Sequence, residues 1–161
     1  MDAFRSHATW SAILIACVTA ACASEPYRPL PTLGVSVQAD ALDVTIYQLI
    51  ATPERYDGKL VSVIAFGYFE TGFGSENRWA IFPTRDDMEH ATCALVYIDL
   101  ATELQPEAEK LAAFSDKYVF VSGVFEASHP LPPDVMLVNE PCPNAGILRR
   151  VSYVSHWEFG D

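Results

Sequence analysis

Cys93 and Cys142, together with His90 and His129, are the side chains best equipped for chemistry in this chain. Thiolate and imidazole are the usual ligands of zinc, and His90-x-x-Cys93 has an acceptable ligand spacing. The other half of such a site is missing, because no C-x-x-C or H-x-x-x-H surrounds His129 or Cys142. The competing chemistry is oxidation: a cysteine pair in an oxidising compartment reads first as a disulfide. Joining 93 to 142 would close a loop of 49 residue steps. In the chain-entropy model that is worth roughly 4 kcal/mol, less any strain. The reading adopted is a Cys93–Cys142 disulfide, with no metal and no cofactor.

The segment "PTRDDMEHA", 83 to 91, resembles an acidic metal loop, but it lacks the glycine and the spaced carboxylates that calcium requires. Thr84 followed three residues later by Asp87 reads better as a capped helical turn, whose acids oppose the positive end of the helix dipole. "GFGSEN", 72 to 77, follows a strand without opening a helix, so it reads as a hairpin loop and not a phosphate cradle. No G-x-S-x-G, H-E-x-x-H, P-loop or dinucleotide fingerprint occurs. His129 and His156 stand alone, and a lone histidine is more often packed or at the surface than a base. No catalytic residue is assigned, and the chain is read as a non-enzyme.

These residues need a scaffold, and the first 22 residues are not part of it. Arg5, an apolar stretch from Ala8 to Val18 and then small residues have the layout of a secretory signal. The apolar run is too short for the roughly 20 residues that span a membrane. Three processing sites compete. Ala21-Cys22-Ala23 would release a chain beginning at Ser24. "TAAC", ending at Cys22, resembles the lipobox of bacterial lipoproteins, although Thr19 stands where leucine is usual. "LIAC", ending at Cys17, matches the lipobox better but leaves a short apolar region before it. Lipidation at Cys22 is favoured. Residues 23–43, with Pro26, Pro29 and Pro31, read as a tether to the domain at 44–161. Localisation follows: exported, either periplasmic or anchored to the outer membrane. The net charge of -11 excludes general affinity for nucleic acid, which depends on lysine and arginine displacing counterions.

Within the domain, Asp43 reads as the cap of a short helix, Val44 to Ala51, packing through Tyr47, Leu49 and Ile50. Pro53 ends it, and Asp57-Gly58 turns the chain, with Tyr56 packed beneath. Strands follow at about Leu60–Phe69, Arg78–Pro83 and Cys93–Asp99, then a helix at 105–114 with Pro106 in its first turn and Leu111 and Phe114 facing inward. Further strands are expected at Lys117–Phe125, at 135–139 and within 147–159. Ala65 and Gly67 interrupt the first strand with small residues, as a sharply bent strand would require.

Three strands, a helix and then further strands is the order of an OB barrel, so the expected fold is mainly β: a five-stranded OB-like barrel with a helix between strands 3 and 4 and a short N-terminal helix. Lys59-x-Val61-x-Val63-x-Ala65 echoes Lys117-x-Val119-x-Val121-x-Gly123, and those two strands lie side by side in such a barrel. Leu49-x-x-x-Pro53-x-x-Tyr56-Asp57-Gly58-Lys59-x-Val61-x-Val63, followed by Tyr118-Val119-x-Val121-x-Gly123, resembles a group of small, mostly uncharacterised exported bacterial proteins with OB-type barrels. The resemblance covers about residues 42 to 126. Ala65 departs from the glycine common there, and the resemblance implies no catalytic residues.

OB barrels bind along strands 2 and 3, so the candidate ligand surface is Phe73, Arg78, Trp79 and Tyr97, with His129 from the loop between strands 4 and 5. Alternation places Trp79 and Phe82 on opposite faces, and leaves open which of them is in the core. The function expected is a non-catalytic binding or envelope-accessory module. Its partner would be an envelope protein or a small ligand, with membrane contact through a lipid on Cys22. The alternatives are a periplasmic metal or small-molecule binder and an enzyme of unassigned type.

Overall fold

The computed structural model describes residues 32–35, 39–73, 78–128 and 144–158. In chain order these form β1 (Leu33–Gly34), β2 (Leu42–Thr45), α1 (Ile46–Ala51), a 3₁₀ turn (Pro53–Arg55), β3 (Leu60–Phe73), β4 (Arg78–Phe82), α2 (Arg85–Glu89), β5 (Val96–Leu100), a 3₁₀ segment (Thr102–Phe114), β6 (Lys117–Ala127) and β7 (Gly146–His156).

Five strands close on themselves. β3 pairs with β4, β4 with β5, β7 with β6 and β6 with β3, all antiparallel, while β5 and β7 run parallel. This is the strand order of an OB barrel, and closure removes the exposed edges that an open sheet would present. Two short strands are added outside. β1 joins β7 antiparallel, and β2 runs parallel to β3 along Val61–Ile64. The echoing strands are neighbours: Val63 pairs with Val121, Val61 with Gly123 and Ala65 with Val119.

β3 is one strand serving two partners. It pairs with β6 from Leu60 to Gly67 and with β4 from Phe66 onward, and its register shifts between Tyr68 and Phe73. Gly67 sits at the handover. A Cβ there would lie 2.4 Å from the Phe69 ring, so only glycine allows that ring to fold back into the core. The bend is held from outside the sheet: Phe69 N–H donates to Ser115 Oγ at 2.6 Å, and Asp116 N–H donates to the Gly67 carbonyl at 3.0 Å.

The punctuation before β3 acts as a clamp. Pro53 opens the 3₁₀ turn, Tyr56 is buried beneath it, and Gly58 takes φ +70°. Gly58 N–H then donates to the Phe125 carbonyl at 2.8 Å, and Asp57 Oδ1 accepts from Ala127 N–H at 2.9 Å. The turn therefore locks the first residue pairs of the β3–β6 ladder.

Several boundaries differ from the sequence reading. Helix α1 begins at Ile46 with Thr45 as its cap, not Asp43. Thr45 Oγ1 accepts from Gln48 N–H while Gln48 Oε1 accepts from Thr45 N–H, a reciprocal capping box that stops β2 from continuing into helix earlier. Residues expected to be tether already belong to the domain, since Leu33 is buried in the core and pairs with Val154. β3 continues to Phe73, four residues beyond the expected end, so "GFGSEN" contributes its first two residues to a strand. The crossover between β5 and β6 is 3₁₀ throughout and longer than the expected helix. Pro106 lies inside it and supplies no backbone donor, and no side chain caps its start. It still places Leu104, Leu111 and Phe114 in the core. The strand expected at 135–139 lies outside the described residues.

The barrel interior is filled by Val61, Val63, Ile81, Ile98, Val121 and Leu148, with further aliphatic and aromatic neighbours. A second, smaller cluster lies on the outer face of β3 and β4, where Phe66, Ala80, Phe82 and Leu95 are buried against Met88 of α2. Alternation along β4 accounts for both: Trp79 and Ile81 face the barrel, Ala80 and Phe82 face outward.

Candidate functional site

Of the residues expected on the OB binding surface, Trp79 and Tyr97 are the two whose side chains are described, and they do not share a face. Trp79 is half-buried against the barrel core, whereas Tyr97 packs against the outer cluster. The two strands are paired, but these two rings lie on opposite faces, because Tyr97 pairs with Ala80 and Trp79 with Ile98. Phe73 and Arg78 are a paired couple at the far end of the β3–β4 hairpin, located here by their backbone alone. His129 and Cys142 lie outside the described residues, as do Cys17, Cys22 and the leader. Much of the outer face of β4 is filled by α2. Thr84 caps that helix, accepting from Asp87 N–H at 3.1 Å and donating to Asp87 Oδ2 at 2.6 Å, while Thr92 donates to Asp87 Oδ1 at 2.9 Å. The "acidic loop" is therefore a self-satisfied capped turn. His90 closes the turn, its Nδ1 lying 2.9 Å from the Asp86 carbonyl. Among the described residues, no three His, Cys, Asp or Glu side chains converge as metal ligands.

A different face carries a groove. The register brings Asp43 beside Ser62, Thr45 beside Ile64, and Ile64 beside Phe120, so these side chains share the outer face of the β2–β3–β6 sheet. Tyr47 of α1, Trp157 just after β7, and Pro83 complete the lining. The groove, open to solvent, has a volume of about 460 Å³, within the range of small-molecule sites. The polar groups of its floor are already satisfied: Ser62 Oγ donates to Ser122 Oγ at 3.2 Å, and Ser122 Oγ donates to the Val61 carbonyl at 3.3 Å. What the groove offers is therefore mainly apolar and aromatic surface. Tyr47 is 60 % exposed and Trp157 37 % exposed, and such large side chains are normally withdrawn from water. Trp157 is held in place by its backbone, whose N–H donates to the Tyr118 carbonyl at 2.8 Å, and its ring lies 6.3 Å from that of Phe120.

A second cavity, about 440 Å³, opens where β7 bulges, and includes Asp40, Thr102, Glu103, Arg150 and Ser152 in its lining. Arg150 adopts φ +50°, and Ser152 Oγ is buried without a hydrogen-bond partner among the described residues. Next to it Arg149 spans three strands, donating to Glu126 at 3.2 Å and to Asp99 at 3.5 Å. Its pKa is raised, first by the hydrogen bond to Glu126; burial opposes this as the next largest effect, and the charge of Glu126 and the hydrogen bond and charge of Asp99 add smaller upward contributions. This cluster ties β5, β6 and β7 together across the bulge.

The sequence reading missed Tyr47, Phe120 and Trp157 as surface residues. The sequence pattern predicts Tyr47 facing inward with Leu49 and Ile50; in the structure Ile46 takes that place and Tyr47 is exposed. With Thr45 as cap, Ile46, Leu49 and Ile50 face the core and Tyr47 turns away. The signal was available in Thr45-x-x-Gln48, a capping-box pattern. No local pattern could have revealed that Trp157 comes to line the same groove as Tyr47, since their sequence separation is spanned only by the closed barrel.

No family model matches the chain, and no curated protein matches it. A solved structure from Leishmania major Friedlin, assigned as an aspartyl-tRNA synthetase, is similar over 80 % of this chain with 11 % identity and a TM-score of 0.42. This chain spans only 23 % of that one. A likeness at this level carries no functional argument.

Proposed function

We propose that this protein is an exported, non-catalytic OB-type binding module that takes its ligand in the groove between β2, α1 and the β3–β6 ladder. The observation that carries the reading is the exposure of Tyr47 and Trp157 over one apolar groove of about 460 Å³. Water contact with two large rings is unfavourable unless something covers them, and burying such rings accounts for most of the affinity of many interfaces. The described lining holds one carboxylate, Asp43, and no histidine, cysteine, lysine or arginine. It supplies no pair of groups for general acid–base chemistry.

The compartment belongs to the same proposal. The leader up to Cys22 supports export and a lipid anchor, and the acidic composition disfavours anionic partners such as nucleic acid. Contact with an envelope partner would use the same exposed rings.

The test is titration of the full-length expressed protein with N-phenyl-1-naphthylamine, a neutral dye that brightens in apolar surroundings. Saturable brightening is expected, weakened about fivefold or more in Trp157→Ala and in Tyr47→Ala at unchanged melting temperature, from a loss of about 1–3 kcal/mol of aromatic burial. Equal dye binding by the parent and both variants would refute the assignment of the groove.

A further inference from the structure

We infer that the groove selects small organic cations: compounds in which a quaternary or alkylated ammonium is joined to apolar substituents. This rests on the groove being the ligand seat, and goes beyond it by naming the ligand class. Three features of the lining point the same way. First, three aromatic residues, Tyr47, Phe120 and Trp157, line it. An aromatic face carries a negative quadrupole that attracts cations within about 6 Å, and tryptophan is the strongest of the three. Second, the only formal charge in the described lining is the Asp43 carboxylate. Asp43 is exposed, and among the described residues it has neither a hydrogen bond nor an ion pair. Third, nothing in the lining favours an anion. No basic side chain is present in the described lining, and the N–H groups of Thr45 and Gln48 are committed to their reciprocal capping box.

Other rings in the molecule show how cations are used here. Arg55 and Lys59 lie over the Tyr56 ring at 5.9 and 6.0 Å, and Arg85 lies over Phe66 at 5.4 Å. Those rings already have cations from the chain itself. The groove rings have none among the described residues. His156, next to Trp157, does not fill the role, because its Nδ1 is turned to Glu158 at 3.2 Å. A carboxylate and three aromatic residues in one lining match a ligand with its charge surrounded by methyl or methylene groups. Such a charge is easily desolvated, whereas a bare inorganic cation holds its water.

The test compares choline with its neutral isostere 3,3-dimethylbutan-1-ol, each titrated into the full-length protein with tryptophan fluorescence and calorimetry as readouts. Choline is expected to bind at least tenfold more tightly. Asp43→Asn should cut that preference to threefold or less without loss of dye binding, and Trp157→Leu should abolish choline binding. Added salt should weaken choline and leave the alcohol unaffected. Equal affinity for choline and the alcohol, with the neutral dye still held, would overturn the cation inference and leave the groove reading intact. Failure of dye, alcohol and cation alike would overturn both. Binding of oligolysine in preference to choline would overturn the assignment to small cations.

Discussion

Replacing Gly58 tests the claim that a single backbone conformation sets the register of the barrel. Gly58 has φ +70°, and a Cβ placed there would meet no atom within 4 Å. Steric collision is therefore absent, and the whole cost of substitution lies in the backbone. A left-handed conformation costs an L-residue about 1–2 kcal/mol, with asparagine among the least affected and β-branched residues the most. Part of this is offset, by about 0.4–1 kcal/mol, because any side chain also reduces the freedom of the unfolded chain. If the backbone escapes by rotating, it loses the 2.8 Å bond from Gly58 N–H to the Phe125 carbonyl, worth about another 1 kcal/mol. The expected order of destabilisation is Asn, then Ala, then Val, with Gly58→Val costing about 1–2 kcal/mol. The assay is urea unfolding followed by far-ultraviolet circular dichroism, where the midpoint should fall while the slope stays constant. Melting temperatures should drop in the same order, by roughly 2–8 °C per kcal/mol. Gly67→Ala is the contrasting control, since its Cβ would lie 2.4 Å from a buried ring and the cost there is steric. Equal stability of the Asn, Ala and Val variants at 58 would refute the reasoning. So would loss of ligand binding in Gly58→Val at full stability, which would make the turn a recognition site.

Peptide mapping of the full-length protein under thiol-trapping, non-reducing conditions should join Cys93 to Cys142. The parallel ladder pairs residues 50 apart, Tyr97 with Ile147, and Ala145 N–H donates to the Leu95 carbonyl at 3.2 Å, so the chain re-enters the sheet three residues after Cys142 and two residues after Cys93. Two free thiols would reject the pairing. Palmitate labelling should be lost in Cys22→Ala, and persistence of label would move the anchor to Cys17. Single-stranded DNA should show no tight, salt-sensitive binding near physiological salt, because 10 basic residues face 21 acidic ones. Arg150→Gly should be neutral or stabilising, by up to about 1 kcal/mol, since it relieves φ +50° at the β7 bulge; a marked loss of stability would show that the side chain, and not the strain, dominates there.

What the sequence determined by itself is local or periodic. Pro53, Asp57 and Gly58 specify a turn through φ restriction and side-chain acceptance, and alternation specifies which residues of β3 and β6 face the same way. Their order then selects a barrel, because few topologies close five strands around one crossover. Alternation also required Trp79 and Phe82 to point oppositely. Only the tertiary structure decided their destinations: Trp79 goes to the barrel core and Phe82 to a second cluster beneath α2. The groove was likewise decided by closure. Asp43, Tyr47, Ile64, Phe120 and Trp157 are dispersed along most of the domain, and they share a face because β2 is laid on β3 and the end of β7 is brought around beside them. Sequence periodicity records which side of its own strand a residue occupies. It does not record which distant strand lies alongside, and that pairing is where a binding site is made.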